Sequence, residues 1–369
     1  MVDVYQALTP FGSSSIGSVQ GTRANADLRP ERTKSYEFGL EMAFLKNRLG
    51  FDVTYYNATT FDQIFPVEIS RSTGYNAQFL NAGNLRNKGV ELTLFAVPFQ
   101  TRDFSWNINL NWSKNDNTVE ELYPGIDVIT LGTFQGGVSI NAALGQPYGT
   151  IRGNDFVYTE GQRTVGTNGR YMMTSESNID IGNMNPDWIG GISNSLRYKD
   201  FSLSWLIDVR KGGELFSLDL YYGLATGLYP ETAGLNDLGN PSRNTIANGG
   251  GIIMPGVKAD GKPNDIRVSN TNYGAYGYAY NPAAGFIYDA GYVKLREAVL
   301  TYSLPESLFT GGVFKGIDIS LVGRNLWIID KNLPYADPEE NISSGNLQGY
   351  QGGAYPTTRT IGINAKIRF

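Results

Sequence analysis

The sequence predicts an all-β protein, a transmembrane antiparallel β-barrel. Three observations support this: long stretches of alternating apolar and polar residues, connections that alternate between short and long, and no apolar run of the roughly 18 residues that a membrane-spanning helix needs. Alternation alone is also typical of a large soluble β-sandwich. The three features together favour a wall that separates lipid from a wet lumen.

The clearest alternation covers residues 103–113, where every second residue is apolar and the others are Ser, Asn or Asp. Successive strand residues point to opposite faces, so Phe104, Trp106 and Leu110 share one face. A strand that crosses a membrane at a tilt needs roughly 9–11 residues, whereas soluble strands average roughly 5–6. We therefore predict that these three side chains face lipid.

The same pattern recurs along the chain. Phe201, Leu203 and Trp205 alternate with Ser in another predicted strand, and we predict that they also face lipid. In all, the alternation predicts about eleven strands. They lie near residues 34–45, 48–60, 86–97, 103–114, 136–144, 150–159, 189–198, 201–211, 292–303, 316–328 and 358–369.

The connections between these predicted strands alternate in length. Short ones lie near residues 46–47, 98–102, 146–149, 199–200 and 305–315, and long ones cover about 61–85, 115–135, 160–188, 212–291 and 329–357. Up-and-down strands with short turns at one end and long loops at the other are typical of outer-membrane barrels. A sandwich has no reason to sort its loops by length in this way.

The composition excludes several classes of protein. The 369 residues contain no Cys and no His, which removes metal sites built on thiolate or imidazole and the Ser-His-Asp and Cys-His catalytic systems. We predict no catalytic, cofactor-binding or metal site. The net charge is -5 and there is no basic stripe, so we expect no nucleic-acid partner.

Two loop segments have alternative interpretations. Residues 273–280 contain four Tyr and form either a solvated loop or an aromatic surface that stacks on sugars or contacts a partner. Asp337, Glu339 and Glu340 offer oxygen ligands for Ca²⁺, but a solvated turn is the interpretation we favour.

An odd number of strands is unusual, because bacterial single-chain barrels have an even number with both ends on the periplasmic side. Either residues 1–8 are the stub of another strand, or the chain starts inside a larger barrel. The N-terminus also lacks the basic and apolar regions of a signal peptide, so we expect that a signal was removed or lay upstream. Both arguments predict a missing upstream part.

Segments spread over nearly the whole chain resemble one known family. They read LRPERTKSYEFGLE at residues 28–41, NAGNLRNKGVEL at 81–92, IGNMNPDW at 181–188, YVKLREAVLTYSLP at 292–305, GRNL at 323–326 and PTTRT at 356–360. Their order and spacing are similar to those of the SusC/RagA family of TonB-dependent outer-membrane receptors.

This resemblance implies a fold, a function and partners. Residues 1–369 would be the C-terminal half of a barrel of about 22 strands, with the plug domain and the N-terminal strands absent from this chain. The implied function is active, non-enzymatic import of an oligosaccharide or oligopeptide across the outer membrane. The implied partners are a SusD-like surface lipoprotein, TonB acting through the missing N-terminal part, the remaining barrel and plug on the same or a companion chain, and outer-membrane lipid.

The resemblance also gives a role to particular residues. Ile363, Ile367 and Phe369 end the chain as an exposed strand, which resembles the signal that the barrel-assembly machinery recognises by pairing with an edge. Phe369 fits the periplasmic aromatic girdle equally well. Charged side chains of the polar strand faces are expected to line the lumen or brace the plug: Glu37, Glu41, Asp52, Glu91, Asp208, Lys366 and Arg368.

Two alternatives from other classes of protein stay open at this point. One is a complete smaller outer-membrane barrel of about 10–12 strands that acts as a channel. The other is a secreted carbohydrate-binding β-sandwich, which the Tyr-rich loops would suit.

Overall fold

The computed structural model describes residues 4–271, 273–309 and 313–369. Its largest element is an antiparallel sheet of nine long strands, called the wall, in which each strand pairs with its neighbours in the chain. These strands are β1 (Arg32–Phe44), β2 (Leu49–Glu68), β3 (Ala77–Gln100), β4 (Phe104–Leu122), β5 (Trp188–Tyr198), β6 (Phe201–Lys211), β7 (Tyr292–Ser303), β8 (Gly316–Lys331) and β9 (Thr360–Arg368). A short strand, Thr22–Arg23, runs parallel to the start of β3.

The register of the wall gives it two different faces. Leu203 of β6 lies opposite Leu196 of β5 and Leu300 of β7, and directly opposed residues of an antiparallel pair share a face. One row of this apolar face is Trp106, Leu196, Leu203, Leu300, Leu321 and Ile363. The adjacent row, on the polar face, is Ser105, Arg197, Ser202, Thr301, Ser320 and Asn364.

The wall has short turns at one end and long connections at the other, as the sequence predicts. The short turns cover residues 45–48, 101–103, 199–200 and 304–315, of which 310–312 lie outside the described residues. The other end carries residues 69–76, 123–187, 212–291 and 332–359. The predicted long loop at 61–85 is wrong, because β2 and β3 continue through most of it as paired strands.

Two segments predicted as wall strands, 136–144 and 150–159, lie elsewhere. They contain the strands Val138–Ala143 and Thr150–Gly153, which join Val128–Phe134 and Ile179–Asn183 in a separate four-stranded sheet. Almost every residue of Val138–Ala143 is buried, on both faces of the strand. A membrane wall exposes its outer face to lipid, so a strand covered on both sides belongs to the interior of the loops instead.

The long connections fold into a compact body, called the loop layer. Besides the four-stranded sheet it contains the α-helix Leu218–Thr226, which begins where the Ser217 hydroxyl accepts a hydrogen bond from the backbone N–H of Leu220. Glu214–Ser217, Ile287–Asp289 and Tyr350–Gln351 form a three-stranded sheet. Short ladders join Tyr158–Thr159, Gln162–Val165 and Val257–Lys258, and join Ile252–Ile253 to Arg267–Val268. The 3₁₀ turns are Arg71–Thr73, Pro230–Thr232, Ile246–Asn248, Tyr278–Tyr280, Ala283–Phe286 and Glu306–Phe309.

The hydrophobic core lies in the loop layer, not in the wall. Phe216, Phe286, Ile140 and Ile151 form its largest cluster and are almost completely buried. A second cluster joins the layer to the ends of β2, β3 and β4. Within the described residues, no helix has the length and apolar character needed to cross a membrane.

The wall is open at both edges. In the described part of the chain, β1 pairs with β2 alone and β9 with β8 alone, and the two do not pair with each other. The predicted stub at residues 1–8 begins outside the described residues, and Tyr5–Phe11 pairs with Ser14–Val19 in a separate hairpin. An open single sheet is neither a closed barrel of 10–12 strands nor a two-sheet sandwich, so the fold supports neither alternative.

Candidate functional site

The residues predicted to face lipid lie together on the apolar face. Trp106 of β4 and Leu203 of β6 are both directly opposite Leu196 of β5, so the two strands present these side chains on the same side. The indole N–H of Trp106 donates to Asn194 Oδ1 at 3.1 Å, which satisfies its polar group within this face. The six residues are Phe104, Trp106, Leu110, Phe201, Leu203 and Trp205.

The apolar face is uncovered across the wall. Phe201 is 52% exposed, Leu321 51% and Ile363 80%, although all are large apolar side chains. A continuous exposed apolar surface of this width marks a contact with a membrane or a partner.

The polar face, in contrast, is partly covered by the chain itself. Residues 332–359, called the strap, connect β8 to β9 and fold back against β7. Asp337 of the strap accepts a hydrogen bond from Lys294 Nζ at 2.5 Å, and the two side chains are only 3% and 5% exposed. Asp337 also accepts from the Thr357 hydroxyl at 2.6 Å and from the backbone N–H of Glu339 at 3.0 Å. The strap is therefore tied to the wall by a buried ion pair.

A second strap carboxylate extends this network. Glu339 accepts hydrogen bonds from Lys294 Nζ and from Arg296 Nη1, both at 2.6 Å. Arg296 in turn donates to Asp208 of β6 through Nε at 2.8 Å. The hydroxyl of Tyr292 lies between the two carboxylates, 3.2 Å from Asp208 Oδ2 and 3.0 Å from Glu339 Oε1.

Arg296 reaches this position because β7 contains a bulge. Leu206 pairs with Glu297 and Ile207 pairs with Leu295, which leaves Arg296 as the extra residue. A bulge redirects a side chain relative to the regular alternation. Here it places the guanidinium within reach of both Asp208 and the strap.

The network lowers the pKa of both strap carboxylates. Burial by itself would raise the pKa of Asp337, but hydrogen bonds from Lys294, Thr357 and the backbone outweigh it and hold the pKa below its usual value. The same balance, with Arg296 as the main donor, lowers the pKa of Glu339. Both side chains therefore remain charged at neutral pH.

The acidic run is thus not the solvated turn that we favoured from the sequence. Asp337 is buried, and its oxygens bind Lys294 and Thr357. The oxygens of Glu339 bind Lys294 and Arg296, so the protein's own cations take the place that a Ca²⁺ ion would need. Among the described residues, no group of three or more acidic side chains is arranged to hold a metal.

Sequence reasoning missed Lys294 and Arg296 as partners of the strap. One signal was available, because Lys294 and Arg296 are charged although they have the same parity as Leu300 of the apolar face, which indicates a bulge between them and Leu300. Lys294 also lies directly opposite Asp208. Nothing in the sequence, however, indicated that residue 337 would return to this position.

The other charged residues predicted for the lumen occupy the polar face. Asp52 and Asp208 belong to one row that passes through Thr93, Asn111 and Gly191. The other predicted residues lie opposite these partners: Glu37 opposite Tyr56, Glu41 opposite Asp52, Glu91 opposite Thr54, Lys366 opposite Asp318 and Arg368 opposite Gly316.

The Tyr-rich segment at 273–280 is for the most part packed within the loop layer. Tyr278 stacks on Tyr221, with ring centres 4.6 Å apart, and Tyr280 lies beneath the guanidinium of Arg170. Tyr273 is half exposed, and the side chain of Ala279 lies outside the described set. The segment is therefore not simply a solvated loop.

Tyr276 lines a cavity of about 370 Å³ in the loop layer, together with Tyr288 and Phe156. Burial, with the Glu231 carboxylate nearby, raises the pKa of Tyr288 to about 12. Its hydroxyl is therefore protonated at neutral pH and is able both to donate and to accept a hydrogen bond.

The C-terminal residues predicted as an assembly signal lie on the open edge strand. Ile363 lies opposite Leu321, and Ile367 lies opposite Ile317. Phe369 follows the last strand residue, is 75% exposed and contacts Phe314 with ring centres 5.6 Å apart.

A sheet with one apolar and one polar face, and with its long loops at one end, is the architecture of an outer-membrane-type β-barrel wall. Comparison with known proteins identifies the family. The family described as "TonB dependent receptor-like, beta-barrel" matches residues 4–205, which is more than half of the chain. The chain belongs to this family of TonB-dependent receptor β-barrels.

Curated relatives carry matching names. TonB-dependent receptor P3 of Formosa agariphila is 27% identical over 408 residues, which cover 100% of this chain and 38% of the relative. TonB-dependent receptor SusC of Bacteroides thetaiotaomicron is 24% identical, over 98% of this chain and 34% of SusC. The chain thus spans little more than a third of the length of these relatives.

Solved structures share the fold. A structure of the RagAB peptide transporter superposes with a TM-score of 0.69 at 21% identity, over 98% of this chain and 38% of the matched chain. The "open-open" state of the RagAB peptide importer gives a TM-score of 0.68 over 100% of this chain. The resemblance to the SusC/RagA receptors that the sequence motifs indicate is confirmed by these relatives.

Proposed function

We propose that this chain supplies wall and outer loops to a TonB-dependent importer in the outer membrane, and that the cargo is an oligosaccharide or an oligopeptide. The two-faced wall is the observation that carries the proposal. Its apolar face exposes Phe201, Leu321 and Ile363, whereas its polar face receives the strap through Lys294. In a wall with water on both sides, the exposed apolar row would be an unfavourable hydrophobic surface in contact with water.

The open edges imply further strands. An unpaired edge presents N–H and C=O groups that hydrocarbon does not solvate. We propose that β1 and β9 pair with strands of the same or a companion chain, which closes a barrel of about 22 strands around a plugged lumen. Residues 1–369 would then be the C-terminal portion of that barrel.

Each part of the described structure then has a role in import. The six residues of the apolar face named above contact outer-membrane lipid. The charges of the polar face line the lumen or brace the plug. The loop layer faces the outside and meets a SusD-like lipoprotein, while TonB acts on the part of the receptor that holds the plug. The chain performs no chemical step on its cargo.

Uptake measurements test this function. Cells that contain or lack the gene are supplied with labelled oligosaccharides and with labelled oligopeptides, and uptake is followed with and without a protonophore. Uptake that requires the gene and stops with the protonophore is expected, because TonB draws on the proton gradient. Gene-dependent uptake that continues with the protonophore would indicate a passive channel and would overturn active import.

A further inference from the structure

The cavity in the loop layer has the composition of a ligand site. Its volume of about 370 Å³ lies in the range of roughly 300–1,000 Å³ that is typical of small-ligand sites. Such sites combine walls of hydrophobic and aromatic side chains with a few polar groups that converge on the ligand. The lining residues that matter here are Phe156, Arg163, Tyr171, Glu231, Tyr276 and Tyr288.

Tyr276 and Tyr288 differ in their contacts from two other tyrosines of the loop layer. The hydroxyl of Tyr171 donates to the carbonyl oxygen of Pro255 at 2.9 Å, and that of Tyr350 donates to the carbonyl oxygen of Gln135 at 3.1 Å. Within the described part of the chain, the side chains of Tyr276 and Tyr288 make no hydrogen bond and no ring–ring contact, although both are half-buried. Neither hydroxyl oxygen is among the buried polar atoms that lack a partner, so both reach open space. These two hydroxyls and rings are therefore available to a ligand.

The cavity also presents one cation and one anion that do not pair with each other. The guanidinium of Arg163 lies 4.0 Å above the ring of Phe156, and Glu231 accepts a hydrogen bond from the Tyr335 hydroxyl at 2.7 Å. Among the described residues, neither Arg163 nor Glu231 forms a salt bridge. In this cavity Arg163 is able only to donate hydrogen bonds and Glu231 only to accept them, whereas Tyr276 and Tyr288 are able to do both.

We propose that this cavity is a saccharide subsite that holds on the order of one or two sugar units of the imported cargo. The inference rests on the proposed import function and narrows its cargo. Each sugar hydroxyl both donates and accepts, so sugar hydroxyls match the donors of Arg163, the acceptors of Glu231 and the two tyrosine hydroxyls in kind. The C–H faces of the ring pack on the aromatic walls. An apolar peptide side chain would fill the same volume but would leave the half-buried hydroxyls of Tyr276 and Tyr288 without partners.

The strap forms one edge of this cavity. Pro334 lines it, and the adjacent Tyr335 stacks on Tyr229 with ring centres 4.3 Å apart and planes inclined by 9°. Tyr335 has a φ of 61°, a left-handed conformation that is strained for a bulky side chain. Two residues later, Asp337 is bound by Lys294 of the wall. The buried ion pair therefore holds the residues that shape the subsite.

Binding measurements with conservative variants test the proposal. The protein is purified in detergent from outer membranes with all chains that co-purify, and is applied to an array of defined oligosaccharides and to a tetrapeptide library. At least one oligosaccharide is expected to bind. Tyr276→Phe and Tyr288→Phe each keep the ring and remove one hydrogen bond, so each is expected to weaken that binding by roughly 2- to 12-fold.

Tyr273→Phe is the matched control, because Tyr273 belongs to the same segment, is half exposed and lies outside the cavity lining. Its affinity for the oligosaccharide should equal that of the unmodified protein. The inference is overturned if no oligosaccharide binds at millimolar concentration, if Tyr276→Phe and Tyr288→Phe bind as well as the control, or if only peptides bind and respond to these variants.

Uptake by cells separates this inference from the proposed import. Energy-dependent uptake with unchanged sugar affinity in both cavity variants would remove the subsite and leave import intact. Sugar binding that both variants weaken, in a protein that supports no energy-dependent uptake, would support the subsite and remove import.

Discussion

Gly89 illustrates how one residue of the wall depends on its neighbours across two strands. Tyr56 lies directly opposite on β2, and Asn115 lies directly opposite on β4. The hydroxyl of Tyr56 donates to Asn115 Oδ1 at 2.9 Å, so its ring crosses over Gly89. A Cβ at Gly89 would lie 2.5 Å from the Tyr56 hydroxyl oxygen and would also meet the backbone oxygen of Lys114. Residue 89 of the NKGVE segment therefore has to be glycine, because a side chain there would collide with the Tyr56 ring and the Lys114 backbone.

We therefore expect Gly89→Ala to destabilise the wall by about 1–3 kcal/mol, the typical range for overpacking. Unfolding in urea, followed on a gel by the loss of the compact, heat-modifiable form, measures the effect. Gly362→Ala is the control, because a Cβ there meets no atom within 4 Å. Equal losses in the two variants would contradict the steric explanation.

The Lys294–Asp337 pair is the other residue-scale feature with a measurable consequence. Removing one partner of a buried ion pair leaves the other charge without compensation and costs about 3–5 kcal/mol. Lys294→Met should therefore release the strap, with faster hydrogen exchange of its backbone amides. Replacing both charges by apolar residues of similar size removes the unpaired charge. The double variant Lys294→Met with Asp337→Leu should accordingly regain much of the protection, whereas unchanged exchange in Lys294→Met would show that the pair does not hold the strap.

At the scale of elements, the same substitution should have different effects on stability at neighbouring residues of β6, because they lie on different faces of the wall. Leu203 lies on the apolar face, so Leu203→Arg should cost about 2–4 kcal/mol near the bilayer midplane and less near an interface. Ser204→Arg, one residue later on the polar face, is the control and should cost little. Unfolding in lipid vesicles compares the two. Lipid-borne quenchers should also reach Trp106 and Trp205, and failure to quench either would contradict the proposed orientation.

The strap should respond to acid in a defined direction. The folded-state pKa values of Asp337 and Glu339 lie below their ordinary values of about 3.9 and about 4.3. Their contribution to strap docking is therefore complete above those values and is lost as the pH falls through the lowered folded-state values. After correction for intrinsic exchange rates, protection of the strap amides should be constant between about pH 5 and pH 8 and decline below about pH 4. Asp337→Asn removes one of the two titrating carboxylates and one partner of the ion pair, so its strap should be less protected already at neutral pH and should lose less protection on acidification.

At the scale of the whole molecule, β9 is an open edge strand, and the exposed Phe369 follows it directly. We propose that the exposed strand with Phe369 is recognised during barrel assembly through edge pairing. Phe369→Asp should then lower the amount in the outer membrane sharply without affecting synthesis. Tyr355→Asp, at a 99% exposed loop position, is the control and should leave the amount unchanged. Normal abundance of the Phe369→Asp protein would exclude the assembly role and leave only contact with the aromatic girdle.

Much of the wall was predictable because strand alternation is a local property. Phe104 and Trp106, or Leu203 and Trp205, share a face for the simple reason that the side-chain period of a strand is two residues. The same locality explains the errors. Val138–Ala143 alternates as a wall strand does, but the pattern does not reveal that loop residues such as Phe216 and Phe286 cover it.

The sequence by itself determined the class of fold, the two faces of the wall, the end that carries the long loops and the likeness to TonB-dependent receptors. Only the tertiary structure decided where the loops return. Lys294 meets Asp337 across 43 residues, and the cavity brings Phe156 close to Glu231 and Tyr288. Such contacts depend on how several long connections pack together around one core. No periodicity within a single segment encodes them, because each partner lies far away in the chain.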